Sequence, residues 1–155
     1  MLGGFGVGKT SLVSRFVHSI FSEKYLTTLG VKIDKKTVDL GNDHVDLILW
    51  DIHGEDELQK INMSYLRGAA GYLLVIDGTR RATVDTALAL HESAQRLIGP
   101  VPVVIALNKS DLAGRWDIDE RALEPLGHPV VKTSAKTGAE VETTFARLAR
   151  DVTMA

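Results

Sequence analysis

The run Gly3-Gly4-Phe5-Gly6-Val7-Gly8-Lys9-Thr10 carries the densest chemistry in the chain. Its spacing is G-x-x-x-x-G-K-[ST]. A backbone with that spacing can curl around phosphate oxygens and aim several N–H groups inward, a shape that side chains at Gly3 and Gly8 would obstruct. Lys9 brings a point charge to the outer phosphates, and Thr10 can offer a hydroxyl to Mg2+. The helix that starts here adds the positive end of its dipole. Chance would place such a pattern in roughly half a percent of chains this long. The nucleotide-binding set read from it is Gly3, Gly4, Phe5, Gly6, Val7, Gly8, Lys9, Thr10 and Ser11. By itself the loop says nucleoside phosphate, since kinases, ATPases and GTPases all use it.

The base is read elsewhere. After the apolar run VPVVIAL stand Asn108, Lys109, Ser110 and Asp111, followed by Leu112. A carboxylate at Asp111 can accept from both the ring N–H and the exocyclic amine of guanine. Adenine offers no such pair and would leave the carboxylate unpaired. The plain alternative is a turn after a strand, with Asp111 solvated. Ser134, Ala135 and Lys136 follow the run HPVVKT. Their N–H groups could meet the guanine carbonyl oxygen, although the tripeptide alone is also an ordinary strand-to-helix turn. Asp51-Ile52-His53-Gly54 follows LILW and gives D-x-x-G. That pattern arises by chance in more than about half of chains this size, so only its place at a strand end gives it weight. There Asp51 would hold Mg2+ through water, and the N–H of Gly54 could sense a γ-phosphate.

These groups need a scaffold that brings strand ends together. Residues 9–18 place Leu12, Val13, Phe16 and Val17 on one helical face, while residues 19–30 lack regular periodicity and read as a loop. GVKIDKKTVDL and HVDLILWD read as two strands joined at LGND, an antiparallel hairpin. Alternation slips between Ile33 and Val38, which predicts an edge strand or a bulge. GYLLVID and PVPVVIALN are continuous apolar runs expected of strands buried on both faces. Residues 83–98 between them read as a helix with Val84, Leu88, Ala94 and Leu97 inward. A last helix lines up Val141, Phe145, Leu148 and Val152. Strand and helix alternate, which predicts an α/β fold with ligands beyond the carboxyl ends of a parallel sheet.

Composition narrows the class. The chain has 155 residues, 45% apolar and 25% charged, the balance of one ordinary globular domain spanning 1–155. A net charge of −2 without a like-charge block implies no general affinity for nucleic acid or anionic membrane. The chain has no cysteine, which removes disulfides and thiolate metal sites and fits a reducing, cytoplasmic setting.

With the four motifs in this order, the sequence resembles a small GTPase of the Ras superfamily along essentially its whole length. It is most similar to the Rab branch: FSEKYLTTLGVKI resembles that branch's first switch, and SYLRGAAGYLLVID its second switch helix and following strand. The resemblance implies a P-loop G domain with a six-stranded, mostly parallel sheet, one antiparallel strand and helices on both faces. It implies GTP and GDP as ligands with Mg2+, hydrolysis of GTP, and switch loops read by effectors, exchange factors and GTPase-activating proteins. It matches Thr28 to the switch threonine that completes Mg2+ coordination and Phe21 to the aromatic that packs edgewise on guanine. Taken alone, those two would read as a surface threonine and a core phenylalanine. The implied catalytic set is Lys9, Thr28, Gly54 and Glu55, and the implied metal set is Thr10, Thr28 and Asp51.

Several positions depart from the family pattern. Glu55 stands where the family has the glutamine that orients water. A carboxylate can accept from that water but cannot donate to the phosphoryl group, so altered hydrolysis is expected. A nucleotide-binding interaction module with little turnover is the competing reading. His53 replaces a small residue and reads as a partly exposed loop histidine. No arginine lies between residues 16 and 30 to serve the transition state, and Arg80 and Arg81 read as solvated helix-leading charges. Only Met1 and Leu2 precede the loop, where the family has a strand of about five or six residues. An empty central slot would cost many kcal/mol against a stability of roughly 5–15, so the natural chain is expected to begin upstream. At the other end no cysteine is present for a lipid anchor: either the protein works without one, or the chain is part of something longer, such as a Roc-type arrangement.

Overall fold

The computed structural model describes residues 1–24, 28, 30–54 and 61–155. The two long apolar runs form its centre. β4 (Tyr72–Asp77) and β5 (Val103–Asn108) are buried at every position, as strands covered on both faces must be. They pair in parallel, with Tyr72 opposite Val103 and Asp77 opposite Asn108. β1 (Leu2–Gly3) lies along the other side of β4, and β6 (Val130–Lys132) lies beyond β5, giving the order β1-β4-β5-β6. All of these pairings are parallel, so Gly3, Asp77, Asn108 and Lys132 end at one edge of the sheet.

Alternation along the strands sorts the core into two layers. Leu74, Ile76, Ile105 and Leu107 pack with Val84, Ala87, Leu90 and Ala94 of α2 (Ala82–Ile98). Leu73, Val75, Val104 and Ala106 face the opposite way, toward Leu12, Val13 and Phe16 of α1 (Lys9–His18) and Val141 and Phe145 of α3 (Val141–Met154). The rings of Phe16 and Phe145 stack with centroids 4.0 Å apart, tying α1 to α3. Each fully buried aliphatic or aromatic side chain here contributes about 1.5–3 kcal/mol. That layer fixes the helix whose first turn follows the glycine-rich loop. α1 stops at Ser19, whose left-handed backbone (φ 56°) turns the following N–H, of Ile20, back onto the Ser14 carbonyl.

β2 (Val31–Asp39) and β3 (His44–Ile52) form the expected antiparallel hairpin. Three details refine or correct the sequence reading. The pairing runs unbroken from Val31 opposite Ile52 to Asp39 opposite His44, so of the two alternatives at Ile33 the edge strand holds and the bulge does not. Instead Ile33 faces outward, 52% exposed, while Val38 faces the core. The α2 stripe runs through Ala87 and Leu90, which were not singled out, and Leu97 lies off its edge at 40% exposure. Finally, the six strands are present but divide into a four-stranded parallel sheet and this two-stranded hairpin, not one six-stranded ladder. The two meet where the Met1 nitrogen donates to the Trp50 carbonyl at 3.0 Å.

Candidate nucleotide-binding site

The phosphate loop bridges β1 and α1, and nearly all of its carbonyls are held by named donors. Lys9 Nζ donates to the carbonyls of Gly3 (3.1 Å) and Gly4 (2.9 Å). Arg80 Nη2 donates to Phe5 O at 2.7 Å, Lys109 Nζ to Gly6 O at 3.0 Å and Asn108 Nδ2 to Val7 O at 3.0 Å. The N–H of Leu12 closes on Gly8 O at 2.9 Å. In a trans peptide the C=O and the next N–H point in opposite directions. Holding carbonyls 5, 6 and 7 outward therefore turns the N–H groups of Gly6, Val7 and Gly8 the other way. The fixed partial charges of the loop thus favour an anion before any ligand arrives. Gly8 has a second reason to be glycine: its φ is +101°, and a Cβ would run into the Asn108 amide.

Lys9 is buried with only carbonyls as direct partners among the described residues, and burial pushes its ammonium down to about 8 despite the nearby Asp51 carboxylate. A phosphate anion beside it would raise that value again and hold the ammonium form.

Beside Lys9, three predicted oxygen ligands meet. Thr10 Oγ1 donates to Asp51 Oδ2 at 2.6 Å and lies 2.7 Å from Thr28 Oγ1. Asp51 Oδ1 is buried with no hydrogen-bond partner. Burial raises the Asp51 carboxyl above its usual range, and the Thr10 hydroxyl and the Lys9 ammonium offset this only in part. A carboxylate with an orphaned oxygen beside two hydroxyls is a hard-oxygen donor set, and it fits Mg2+. Gly54 closes the same corner: a Cβ there would come within 2.5 Å of Phe5 Cα and 2.7 Å of Gly4 O. His53 is 7% exposed, with Nδ1 3.3 Å from the Gly30 carbonyl, so it is a buried side chain and not the partly exposed histidine of the sequence reading. Glu55 lies outside the described residues.

The far end is built from β5 and β6. Asn108 is 2% exposed, and its Oδ1 accepts from Thr133 Oγ1 (3.2 Å) and the Ala135 N–H (3.3 Å) while its amide holds Val7. Asn108 thus locks the Ser134–Lys136 turn to the phosphate loop. Asp111 Oδ1 accepts from Ser134 Oγ at 2.7 Å, which orients the carboxylate. Lys136 pairs with Glu23 at 2.9 Å across the mouth. One cavity of about 430 Å³ joins these parts. Its wall includes Phe5, Gly6, Gly8, Lys9, Thr10, Ser11, Phe21, Thr28, Gly54, Asn108, Lys109, Asp111, Leu112, Ala135 and Lys136. Of the other predicted residues, Gly3 and Gly4 hold Lys9, Val7 has its side chain in the core, and Asp51 and Ser134 stand behind the wall.

Sequence reasoning missed four supports. Arg15 ties α1 to the far turn, donating from Nε to Ala135 O (2.8 Å) and from Nη2 to Lys136 O (2.6 Å). Thr133 is fully buried against Asn108. Asp77 and Arg80 form a bracket behind the phosphate loop. Arg80 is exposed, as expected, with 46% of its side chain accessible, but it is tethered at both ends of its guanidinium, whereas Arg81 pairs only with Asp117 among the described residues. The available signal was Asp77 itself, since a carboxylate ending a strand buried on both faces must have partners.

A parallel α/β sheet with such a loop at its carboxyl edge defines a P-loop nucleotide-binding domain. The family model described as "Ras family" matches residues 1–154. Ras-related protein Rab-4B of Rattus norvegicus, of Homo sapiens and of Mus musculus is in each case 32% identical over 157 residues, covering 98% of this chain and 74% of the relative. The chain belongs to the Ras family, as a Rab-like small GTPase. It is thus a GTP-binding switch in the general sense of that family, whose members meet regulators and effectors. Among the described residues no helix is long and apolar enough to cross a membrane.

Proposed function

We propose that this chain binds GTP and GDP with Mg2+ and hydrolyses GTP to GDP and phosphate, and that the exchange switches a partner-binding face. The single observation behind this is the continuous cavity that runs from the Thr10 and Thr28 hydroxyls, with Asp51 hydrogen-bonded behind Thr10, past Gly6 and Gly8 to Asp111. Bound at that corner, Mg2+ would neutralise charge on the terminal phosphates. Lys9 contributes the fixed ammonium, the Gly6–Gly8 amides position the phosphate tail, and Asp111 selects guanine, oriented by Ser134. Thr28 and Gly54 sit where loss of a terminal phosphate would release them.

The partner face is the outer side of the hairpin. Ile33, Ile48 and Trp50 are 52%, 54% and 40% exposed on it, and Trp50 lies 6.2 Å from the ring of Tyr65. A contiguous apolar patch next to segments that sense the nucleotide supports effector binding that depends on it.

The test is to denature the purified protein, identify the nucleotide it carried, and follow single-turnover GTP conversion with and without Mg2+. We expect guanine nucleotide in the protein and Mg2+-dependent conversion to GDP. Glu55→Gln should change that rate by roughly threefold or more, since a carboxylate and an amide differ in charge and in donor capacity at that position. Equal binding of ATP and GTP ends the guanine assignment. Glu55 also favours a second reading, a nucleotide-dependent binding module without useful turnover; retained GTP with no conversion over hours would select it.

A further inference from the structure

Three side chains hold consecutive carbonyls of the phosphate loop, and two of them, Asn108 and Lys109, belong to the guanine motif. The third, Arg80, belongs to no motif and comes from the turn that leads into α2. Its guanidinium uses two nitrogens at once: Nε donates to Asp77 Oδ2 at 2.9 Å, and Nη2 donates to Phe5 O at 2.7 Å. The anchor is rigid. Asp77 has no exposed surface and also accepts from Lys109 Nζ (2.7 Å), Thr79 N–H (2.9 Å) and Thr79 Oγ1 (2.7 Å). A surface arginine on a flexible partner contributes little, but a planar fork fixed at both ends holds the geometry of what it touches.

We propose that Arg80 is a positioning residue of the nucleotide site: braced on Asp77, it holds the Phe5 carbonyl outward so that the N–H of Gly6 faces the phosphate tail. The inference rests on the nucleotide-binding reading above and adds to it a residue that shapes preference for the more highly charged ligand. Without Arg80 the peptide between Phe5 and Gly6 loses the donor that fixes its carbonyl and can turn more readily. It would then lose an N–H toward the ligand and present a carbonyl dipole to an anion. Phe5 abuts Gly54, so this peptide lies on the side assigned to the terminal phosphate. The penalty therefore grows with phosphate charge: largest for the triphosphate, smaller for GDP, absent for guanosine.

The experiment measures binding of a non-hydrolysable GTP analogue, GDP and guanosine, all with Mg2+, to wild type, Arg80→Met, Arg80→Lys and Arg81→Met. Arg80→Met should weaken the triphosphate by roughly tenfold, the scale of one charge-assisted hydrogen bond, and GDP by less, with guanosine unchanged. Arg80→Lys should fall between, because one ammonium cannot span Asp77 and Phe5 as the fork does. Arg81→Met, which removes only the surface pair with Asp117, should match wild type. If Arg80→Met weakens all three ligands alike, or none, the positioning role is overturned while the nucleotide site stands. If wild type binds none of the three, both fall.

Discussion

Asp51 and Asp77 sit at the ends of two strands, are the same residue type, and are 1% and 0% exposed. Their carboxylates nevertheless behave in opposite ways. Asp77 is saturated: burial alone would raise its carboxyl, but hydrogen bonds from Lys109, Thr79 and Arg80 outweigh that and hold it below the usual range. Asp51 has one hydroxyl donor and an orphaned oxygen, and burial holds it above the usual range. Burial does not decide whether a buried acid is structural or functional; the number of donors does. A carboxylate whose lone pairs are all taken can only hold its neighbours, whereas one left short awaits a cation. The two regions divide the work, with the Asp77 bracket shaping the phosphate loop and the Asp51 corner remaining open to ligand.

The strongest way to break the comparison is Asp77→Asn. It leaves the Lys109 ammonium and the Arg80 guanidinium without their anion beside a buried loop. Removing one partner of a wholly buried pair costs about 3–5 kcal/mol, and the partly hydrated partners here bring the expectation to about 2–3 kcal/mol. Urea unfolding at fixed nucleotide concentration measures it. A loss under about 0.5 kcal/mol would mean that Asp77 is not the hub described, since that is the scale of an ordinary surface change.

Asp51→Asn comes next and should act on ligand binding. Losing a metal-corner carboxylate should weaken the Mg2+ dependence of GDP retention by at least about tenfold, the lower end of what metal-site changes cost. The readout is the GDP release rate with Mg2+ and with chelator. Wild type should release faster on chelation, and the variant should release fast in both. A variant whose GDP release still slowed normally on adding Mg2+ would remove Asp51 from the metal set.

The contrast also shows which parts of the molecule were legible. The loop and the N-K-x-D turn were readable because backbone curvature and base chemistry restrict residue types over a few positions, whereas D-x-x-G carried weight only from its place at a strand end. β4, β5 and the hairpin were readable from apolar runs and turn residues. What stayed hidden depends on which side chains meet across the fold. Asp77 and Arg80 lie three positions apart in sequence, yet nothing local says that Arg80 reaches back to Phe5, or that Asn108 blocks a Cβ on Gly8. Ile33 shows the same limit. Its exposure follows from the pairing register, and the register is set by the whole hairpin. The division of the sheet into two ladders is likewise a matter of which strands meet, which no motif encodes.

The smallest expected effect sharpens the comparison most, because the two acids should differ in sign. Consider the metal-free, nucleotide-free protein in chelator. Asp77, held low, contributes stability above the ordinary carboxylate value of about 3.9 and loses it as pH falls through its depressed folded value. Asp51, held high, contributes its stability when protonated and loses it as pH rises through its raised folded value. From neutral pH down toward the ordinary carboxylate value, wild type should therefore gain stability relative to Asp51→Asn, which has no such proton to bind. The difference between the two proteins should therefore move with pH in that direction. His91 and His128, whose rings are held low chiefly by burial, take up protons in both proteins and cancel in the difference. Lys9 and the Met1 amine do not cancel: burial lowers both and the Asp51 charge offsets part of this in wild type alone, so their protonation adds to the same trend. Melting temperatures of the pair across pH, each in chelator, decide it. If the difference is flat, Asp51 is already satisfied without a cation, and the distinction between the open and the saturated acid fails.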